Sequence, residues 1–339
     1  PGVVSYIPSG WGEDIQPAMD AQPGLTTDPN SGIPTMLSTM VDPEVFRVLF
    51  SPNEAANIFG EQKKGDWLQK TAMFPIVEHD GEVSSYGDFN DNGHAGANTN
   101  FPQRQSYLFQ IVKEYGEYEL DAAGLAKINW VTEVDVAAAT MLNKYQNLTY
   151  FYGVQNLENY GLLNDPGLSA SITPAPKANG GVTWFVNGGQ PNATANEVYN
   201  DIIALFQKVV SQNSGLVNKK ANMKLCMSPD SSVALTFTNS FNVNVEDLLK
   251  KNFPNMTVET AMQYGVLDES NPQGIAAGNL VQLIVSEVDG QKAGYCAFNE
   301  KLRAHSIIRG LSSFKQKETA GTWGAVVRQP SAISSMLGV

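Results

Sequence analysis

From Gly60 to Pro102 the chain offers neither a helical apolar stripe nor the composition of a buried strand, and this segment restricts the possible folds more than any other. Gly65, Gly81, Gly87, Gly93 and Gly96 punctuate it, with Trp67, Phe74, Tyr86, Phe89 and Phe101 spread between polar residues. A long two-stranded excursion is the simplest shape, with the run Glu78 to Glu82 (EHDGE) supplying an Asp-Gly hairpin turn. A two-stranded ribbon alone is only marginally stable in water. The segment therefore requires a surface to pack against.

A second extended part precedes it. Pro1 to Phe46 holds Pro1, Pro8, Pro17, Pro23, Pro29, Pro34 and Pro43, a spacing that prevents long helices and central strands. Val3, Val4, Tyr6, Ile7, Trp11, Ile15, Met19 and Leu25 make it too apolar for a solvated tail, so this arm lies either on a partner subunit or across its own core. The same segment has no Lys or Arg and six carboxylates, half of the net charge of −12. That balance argues against a surface built to neutralise nucleic-acid phosphates.

The rest reads as globular protein. Hydrophobic residues make up 42% and charged residues 17% of the 339, enough for a sizeable core and two structural regions. Asp42 to Phe59 turns briefly helical, and Ser106 to Glu119 alternates as a strand. Leu125, Ile128, Val131, Val134, Ala138, Met141 and Tyr145 then recur at helical spacing, predicting a long amphipathic helix from Ala122 to Gln146 with Asp121 as its cap.

Further on, Asn164-Asp165-Pro166-Gly167 predicts a turn. Thr194 to Glu197 is a capping box opening a helix that Gly215 closes. Strands are expected at Met223 to Met227, Met256 to Met262 and Leu280 to Val288, and helices begin at Pro229 and run from Val245 to Phe253. Two or three long strands fill Tyr295 to Arg328.

Catalytic vocabulary is almost absent. His79, His94 and His305 have neither metal-site spacing nor a nucleophile elbow beside them, and no phosphate-binding glycine loop or dinucleotide fingerprint occurs. Asp88 to Gly93 fits the first half of a calcium loop, but Thr99 stands where a bidentate Glu is required. Glu117 and Glu119 read as solvated charges on one strand face, and Cys226 and Cys296 as buried reduced thiols. No catalytic residue, cofactor site or metal ligand is expected. No signal-peptide pattern or membrane-length apolar run is seen, which predicts a soluble cytoplasmic protein without membrane contact.

A long amphipathic helix running into Thr149-Tyr150-Phe151-Tyr152-Gly153, then Gly161-Leu162-Leu163-Asn164-Asp165-Pro166, resembles the major capsid proteins of tailed double-stranded DNA bacteriophages. More narrowly, it is similar to the branch of the Hong Kong 97-type fold that includes the encapsulins. Leu225 through Ser228-Pro229 resembles that family's strand ending in a proline-started helix, and Gly324 to Ile333 its C-terminal strand, with Gln329 where a second basic residue is common.

The resemblance implies an α+β fold with an N-terminal arm (1–45), a peripheral domain (46–59 and 106–150) built on a spine helix (122–146), and an extended loop (60–105). It also implies an axial domain (151–291) and C-terminal strands (292–339) shared between the two. Tyr6, Trp11, Trp67, Phe74, Tyr86, Phe89 and Phe101 become the expected inter-subunit contacts. The implied function is a structural, non-enzymatic shell protein that self-assembles as pentamers and hexamers into an icosahedral capsid in the host cytoplasm. Such a shell encloses double-stranded DNA without sequence-specific binding. Scaffold, portal and decoration proteins are its further partners. Lys63, Lys64 and Lys70 lie on the ribbon, but no acceptor is identifiable for a covalent cross-link. The alternatives are an encapsulin-like nanocompartment and, from another class, a monomeric α/β enzyme or a carbohydrate-binding domain using Trp67, Phe89 and Trp184.

Overall fold

A computed structural model describes residues 53–125, 129–186 and 189–339. It opens on a short helix, α1 (Ala55–Phe59), followed by β1 (Glu61–Lys63) and β2 (Thr71–Met73). The ribbon strands β3 (Ile76–Gly81) and β4 (Ala95–Asn100) come next, then β5 (Gln103–Gln105) and β6 (Tyr107–Gly116). Helices α2 (Glu117–Leu125) and α3 (Trp130–Tyr152) complete this half. In the second half β7 (Phe185–Val186) and β8 (Gln190–Pro191) form a small hairpin before α4 (Ala195–Gln212), β9 (Met223–Met227), α5 (Pro229–Ser232), α6 (Val245–Asn252) and β10 (Met256–Thr260). The chain ends through β11 (Leu280–Val285), β12 (Glu287–Val288), β13 (Gln291–Lys292), β14 (Gly294–Ala304), β15 (Ile308–Arg309), β16 (Ser313–Val327) and β17 (Ile333–Leu337).

Two sheets organise these elements. In the first, β1 runs parallel to β14, β14 pairs antiparallel with β16, and β16 also pairs with β15 and, from Tyr107↔Thr322 to Gly116↔Ser313, with β6. Helix α3 lies against this sheet. Lys113 of β6 clamps the two together, its Nζ 2.6 Å from Asp135 of α3 and 2.7 Å from Glu318 of β16. The second sheet has the order β10-β9-β11-β17, with β9 and β10 parallel because α5 and α6 carry the chain across between them. Its core holds Trp184, Val198, Ile202, Leu205, Leu225 and Leu283, all fully buried.

Local chemistry explains where the helices of the second half begin. Thr194 Oγ1 accepts the Glu197 N–H while the Glu197 carboxylate accepts the Thr194 N–H, the reciprocal box read from the sequence. Ser228 caps α5 ahead of Pro229, and Asn244 caps α6. Gly215, at φ +82, follows the end of α4 and donates its N–H to Val210.

Several boundaries fall elsewhere than periodicity placed them. The long helix is α3, Trp130–Tyr152, rather than a span from Ala122 to Gln146; Asp121 sits inside the separate helix α2 and caps nothing. The apolar stripe misleads because the side of α3 that is buried is partly polar: Gln146, Asn147 and Thr149 lie beside Ala138, Leu142, Tyr150 and Phe151, whereas Met141 and Tyr145 remain 39% exposed. Asn147 and Thr149 are met across the joint, Asn147 Oδ1 accepting the Ala55 N–H and Thr149 Oγ1 meeting Thr322 Oγ1 at 3.1 Å, while Gln146 Nε2 donates to the Tyr150 hydroxyl and its Oε1 is buried without a partner among the described residues. Glu117 and Glu119 open a helix rather than lying on a strand, in the position that best suits acidic residues. Asp80-Gly81 is paired within the ribbon ladder, opposite Gly96 and Ala95, so the turn comes later. The arm from Pro1, with Tyr6 and Trp11, lies outside the described residues. No helix among the described residues is long and apolar enough to cross a membrane.

Cys226 and Cys296 are free and buried where α1, α3 and both sheets meet. Burial pushes the Cys226 thiol up to about 12 and raises Cys296 as well. Both are therefore expected to resist alkylation by a thiol reagent at mildly alkaline pH until the chain unfolds. Quantitative labelling of either in the native protein would contradict this packing.

Candidate assembly surfaces

The stretch that joins the two sheets, Gly153 to Gly167, is where the chain must turn away from α3. A helix leaves its last carbonyls without partners. Here the Leu162 N–H donates to the Tyr150 carbonyl at 2.8 Å, the Leu163 N–H to Phe151 at 3.0 Å, and Asn164 Nδ2 to Tyr152 at 2.6 Å. Asn164 Oδ1 in turn accepts the Gly161 N–H at 2.7 Å. Gly-Leu-Leu-Asn is thus a cap for α3, with Leu162 buried in the joint and Asp165-Pro166-Gly167 forming the turn beyond, closed by Gly167 N–H on Asp165 Oδ1.

The ribbon is anchored to this same cap. Arg104, next to the end of the excursion, pairs with Asp165 at 2.7 Å, both side chains mostly buried, and lies 4.8 Å over the Tyr160 ring. The Gln105 N–H donates to Glu158 O, and Asn159 Nδ2 donates to Gln105 O. Residue Phe74, expected at an inter-subunit contact, is instead buried in its own chain with Tyr295, Ala297, Trp323 and Val326. Trp67 is half-buried, edge-on to His305 and beneath Arg303. Two of the aromatics thus fasten the ribbon's base.

Beyond that base none of the described residues covers the ribbon. Every residue of β3 and β4 is exposed, and at the tip Val83, Tyr86 and Phe89 are 98%, 92% and 104% exposed. Phe101 is 54% exposed. The tip nevertheless has internal order: the Glu82 N–H donates to His94 O, Ser84 Oγ to Asn92 O, and the Tyr86 hydroxyl to Asp88 Oδ1. An ordered projection that leaves Val83, Tyr86 and Phe89 uncovered is a candidate contact surface.

A second exposed apolar group escaped the sequence reading. Ile307, Ile308 and Leu311 at the β14–β16 turn are 55%, 69% and 104% exposed. Arg309 pairs with Glu117 at 2.9 Å and the Glu117 N–H donates to Ser312 O, which ties the turn to α2, where Tyr118 and Leu125 are 86% and 88% exposed. The signal was Ile307-Ile308 followed by a glycine turn, hidden inside what reads as a long strand.

No group of three or more His, Cys, Asp or Glu gathers into a metal-binding arrangement among the described residues. The aromatic trio of the carbohydrate-binding alternative is not assembled either. Trp184 is fully buried, donating to Asp201, while Phe89 stands at the ribbon tip.

The family model for Pa193 gp26 major capsid protein matches residues 24–338, nearly the whole chain. The chain belongs to that family. Its role is therefore that of a structural component of a capsid shell, not an enzyme, and its place is the virion capsid. The capsid of Myoviridae phage XM1 shares the fold, with a TM-score of 0.69 at 16% identity over 91% of this chain and 99% of that one. The capsid of an empty GTA particle gives a TM-score of 0.56 at 10% identity over 92% and 100%, and the structure titled Mycobacterium phage Ogopogo 0.53 at 10% over 90% and 98%. A comparison with curated protein sequences finds no match. The α+β capsid fold that the Gly-Leu-Leu-Asn segment and its helix implied is the fold found, and the ribbon and the β14–β16 turn each expose apolar side chains on it.

Proposed function

We propose that this chain self-assembles through its ribbon and its β14–β16 turn, as pentamers and hexamers, into an icosahedral shell enclosing double-stranded DNA. The shell is of Hong Kong 97 type and is put together in the host cytoplasm. The observation that carries this reading is the ribbon itself: Val83, Tyr86 and Phe89 are uncovered on an element whose base is fastened by a buried ion pair. Aromatic residues of this kind dominate interface energies, each truncation costing about 2 kcal/mol or more where it fills a partner's pocket. Repeated in every subunit contact, such a loss prevents closure of a shell. In this reading β6, β14, β16 and α3 form the peripheral domain, the β9–β11 sheet the axial domain, and residues 60–105 the extended loop. Scaffold, portal and decoration proteins belong to the same proposal.

The test is size-exclusion chromatography with negative-stain microscopy of the protein expressed alone and with its neighbouring structural proteins. Closed shells or rings of five and six subunits are expected. The double variant Tyr86→Ser with Phe89→Ser is expected to keep the wild-type thermal midpoint, because exposed positions contribute within about 0.5 kcal/mol to the fold, while losing assembly. A variant that still closes shells at wild-type concentration would remove the ribbon from the mechanism, and a wild-type chain that stays monomeric with every partner supplied would overturn the reading as a whole.

A further inference from the structure

The ribbon tip carries the run Asp91-Asn92-Gly93-His94; Asn-Gly pairs also stand at Asn179-Gly180 and at Asn187-Gly188, the latter outside the described residues. An asparagine followed by glycine is open to attack by the next backbone nitrogen on its own side-chain carboxamide, since glycine has no Cβ to obstruct the approach. The outcome depends on whether the two reacting groups are free. At Asn179 they are not: its Nδ2 donates to Asn192 O at 2.9 Å, and the Gly180 N–H donates to Lys177 O at 2.9 Å.

At Asn92 the arrangement is the reverse. The residue is exposed, and among the described residues neither its carboxamide nor the Gly93 N–H has a hydrogen-bond partner. Its main chain is held instead, the Asn92 N–H donating to Asn90 Oδ1 at 3.1 Å and the Asn92 carbonyl accepting from Ser84 Oγ at 2.6 Å. The Asn92 carbonyl and the Gly93 nitrogen belong to one peptide group. A hydrogen bond into that carbonyl draws charge onto the oxygen and stabilises the deprotonated nitrogen, which is the nucleophile. Gly93 is also fixed as glycine, with φ +99 and a virtual Cβ 3.2 Å from both Glu82 O and Ser84 N.

We propose that Asn92 is a site of spontaneous covalent modification, promoted by Ser84. Hydroxide removes the Gly93 amide proton, the nitrogen bonds to Asn92 Cγ, and the Cγ–Nδ2 bond breaks as Nδ2 takes a proton from water, releasing ammonia and returning the hydroxide. Water then opens the five-membered imide at one carbonyl or the other, leaving aspartate or isoaspartate; no electrons change hands. Either product adds a negative charge to a segment that already carries Glu78, Asp80, Glu82, Asp88 and Asp91 and has no Lys or Arg from Thr71 to Gln103. If the ribbon lands on a neighbouring subunit, which rests on the function proposed above, subunits left unassembled age at their contact surface.

The experiment follows the unassembled full chain in warm, mildly alkaline buffer by peptide mass spectrometry. Conversion at Asn92 is expected at least about tenfold faster than at Asn179, where a local opening must come first. Ser84→Ala is expected to slow Asn92 about threefold, the worth of one hydrogen bond, and Asn92→Gln to abolish the product because its ring would need six members. Equal rates at the two asparagines, or an unmodified Asn92, would overturn the proposal, and an unchanged rate in Ser84→Ala would remove Ser84 from it. Because this arm uses free chains, its failure leaves the assembly reading intact. Slower conversion in closed shells than in free chains would support the landed ribbon, and equal rates would count against it.

Discussion

Gly161→Ala should leave the chain unable to reach its native structure at physiological temperature. A Cβ at this position would stand 2.2 Å from both the carbon and the oxygen of the Phe151 carbonyl, with Tyr152 N at 2.4 Å. These are backbone atoms in the last turn of α3, buried on every side, so no side-chain rotation relieves the overlap. Moving the loop outward breaks the Leu162, Leu163 and Asn164 bonds to the final carbonyls of α3, and each buried carbonyl left without a donor costs about 1–3 kcal/mol. The expected loss is about 4 kcal/mol or more, a large part of the stability of an ordinary domain. Gly96→Ala is the matched control: nothing lies within 4 Å of its virtual Cβ, and its backbone is that of a ribbon strand. Thermal unfolding of the free chain, with soluble yield as a second readout, separates the two. A Gly161→Ala protein within about 1 kcal/mol of wild type would show that the cap is not close-packed as described.

That glycine illustrates how far the sequence could be read. Gly-Leu-Leu-Asn is visible as a pattern, and its neighbours predict a turn, but nothing in the letters says that the turn folds back onto the end of the preceding helix. The tight approach depends on Tyr160, whose carbonyl accepts the Ala325 N–H from a strand more than a hundred residues away. Local signals survived well: the Thr194 box, the Ser228-Pro229 start and the Asn244 helix are decided by side chains within a turn of one another. The extent of α3 did not survive, because Asn147 and Thr149 on its buried side meet polar partners supplied from α1 and β16, and a hydrophobic stripe carries no record of them. The ribbon was legible as a shape from its glycines. Which aromatics stay free was not, since Phe74 and Tyr86 look alike until β14 and β16 close over one of them.

Lys177→Met is the second substitution expected to cost heavily, and it acts far from any assembly surface. Lys177 Nζ donates to Asp201 Oδ2 with its side chain fully buried, and the Asp201 side chain is only 2% exposed. The carboxylate also accepts Trp184 Nε1–H at 2.8 Å and the Ala175 N–H at 3.3 Å, so one ion joins α4 to the loop ahead of β7 and orients the largest side chain in the core. Removing the cation leaves two neutral donors around a buried negative charge, and breaking such a pair from one side costs about 3–5 kcal/mol. A fall of roughly 10 °C in the thermal midpoint is expected for a domain of this size. Methionine keeps most of the lysine's apolar length, which confines the effect to the lost charge and hydrogen bond. Adding Asp201→Asn to Lys177→Met should recover part of the loss, because the neutral amide can still accept the Trp184 N–H without an uncompensated charge. The coupling energy of the cycle is expected to exceed about 1 kcal/mol. Additive single losses would mean that the two side chains do not share one buried ion pair, and a Lys177→Met midpoint within a degree or two of wild type would show that water reaches Asp201.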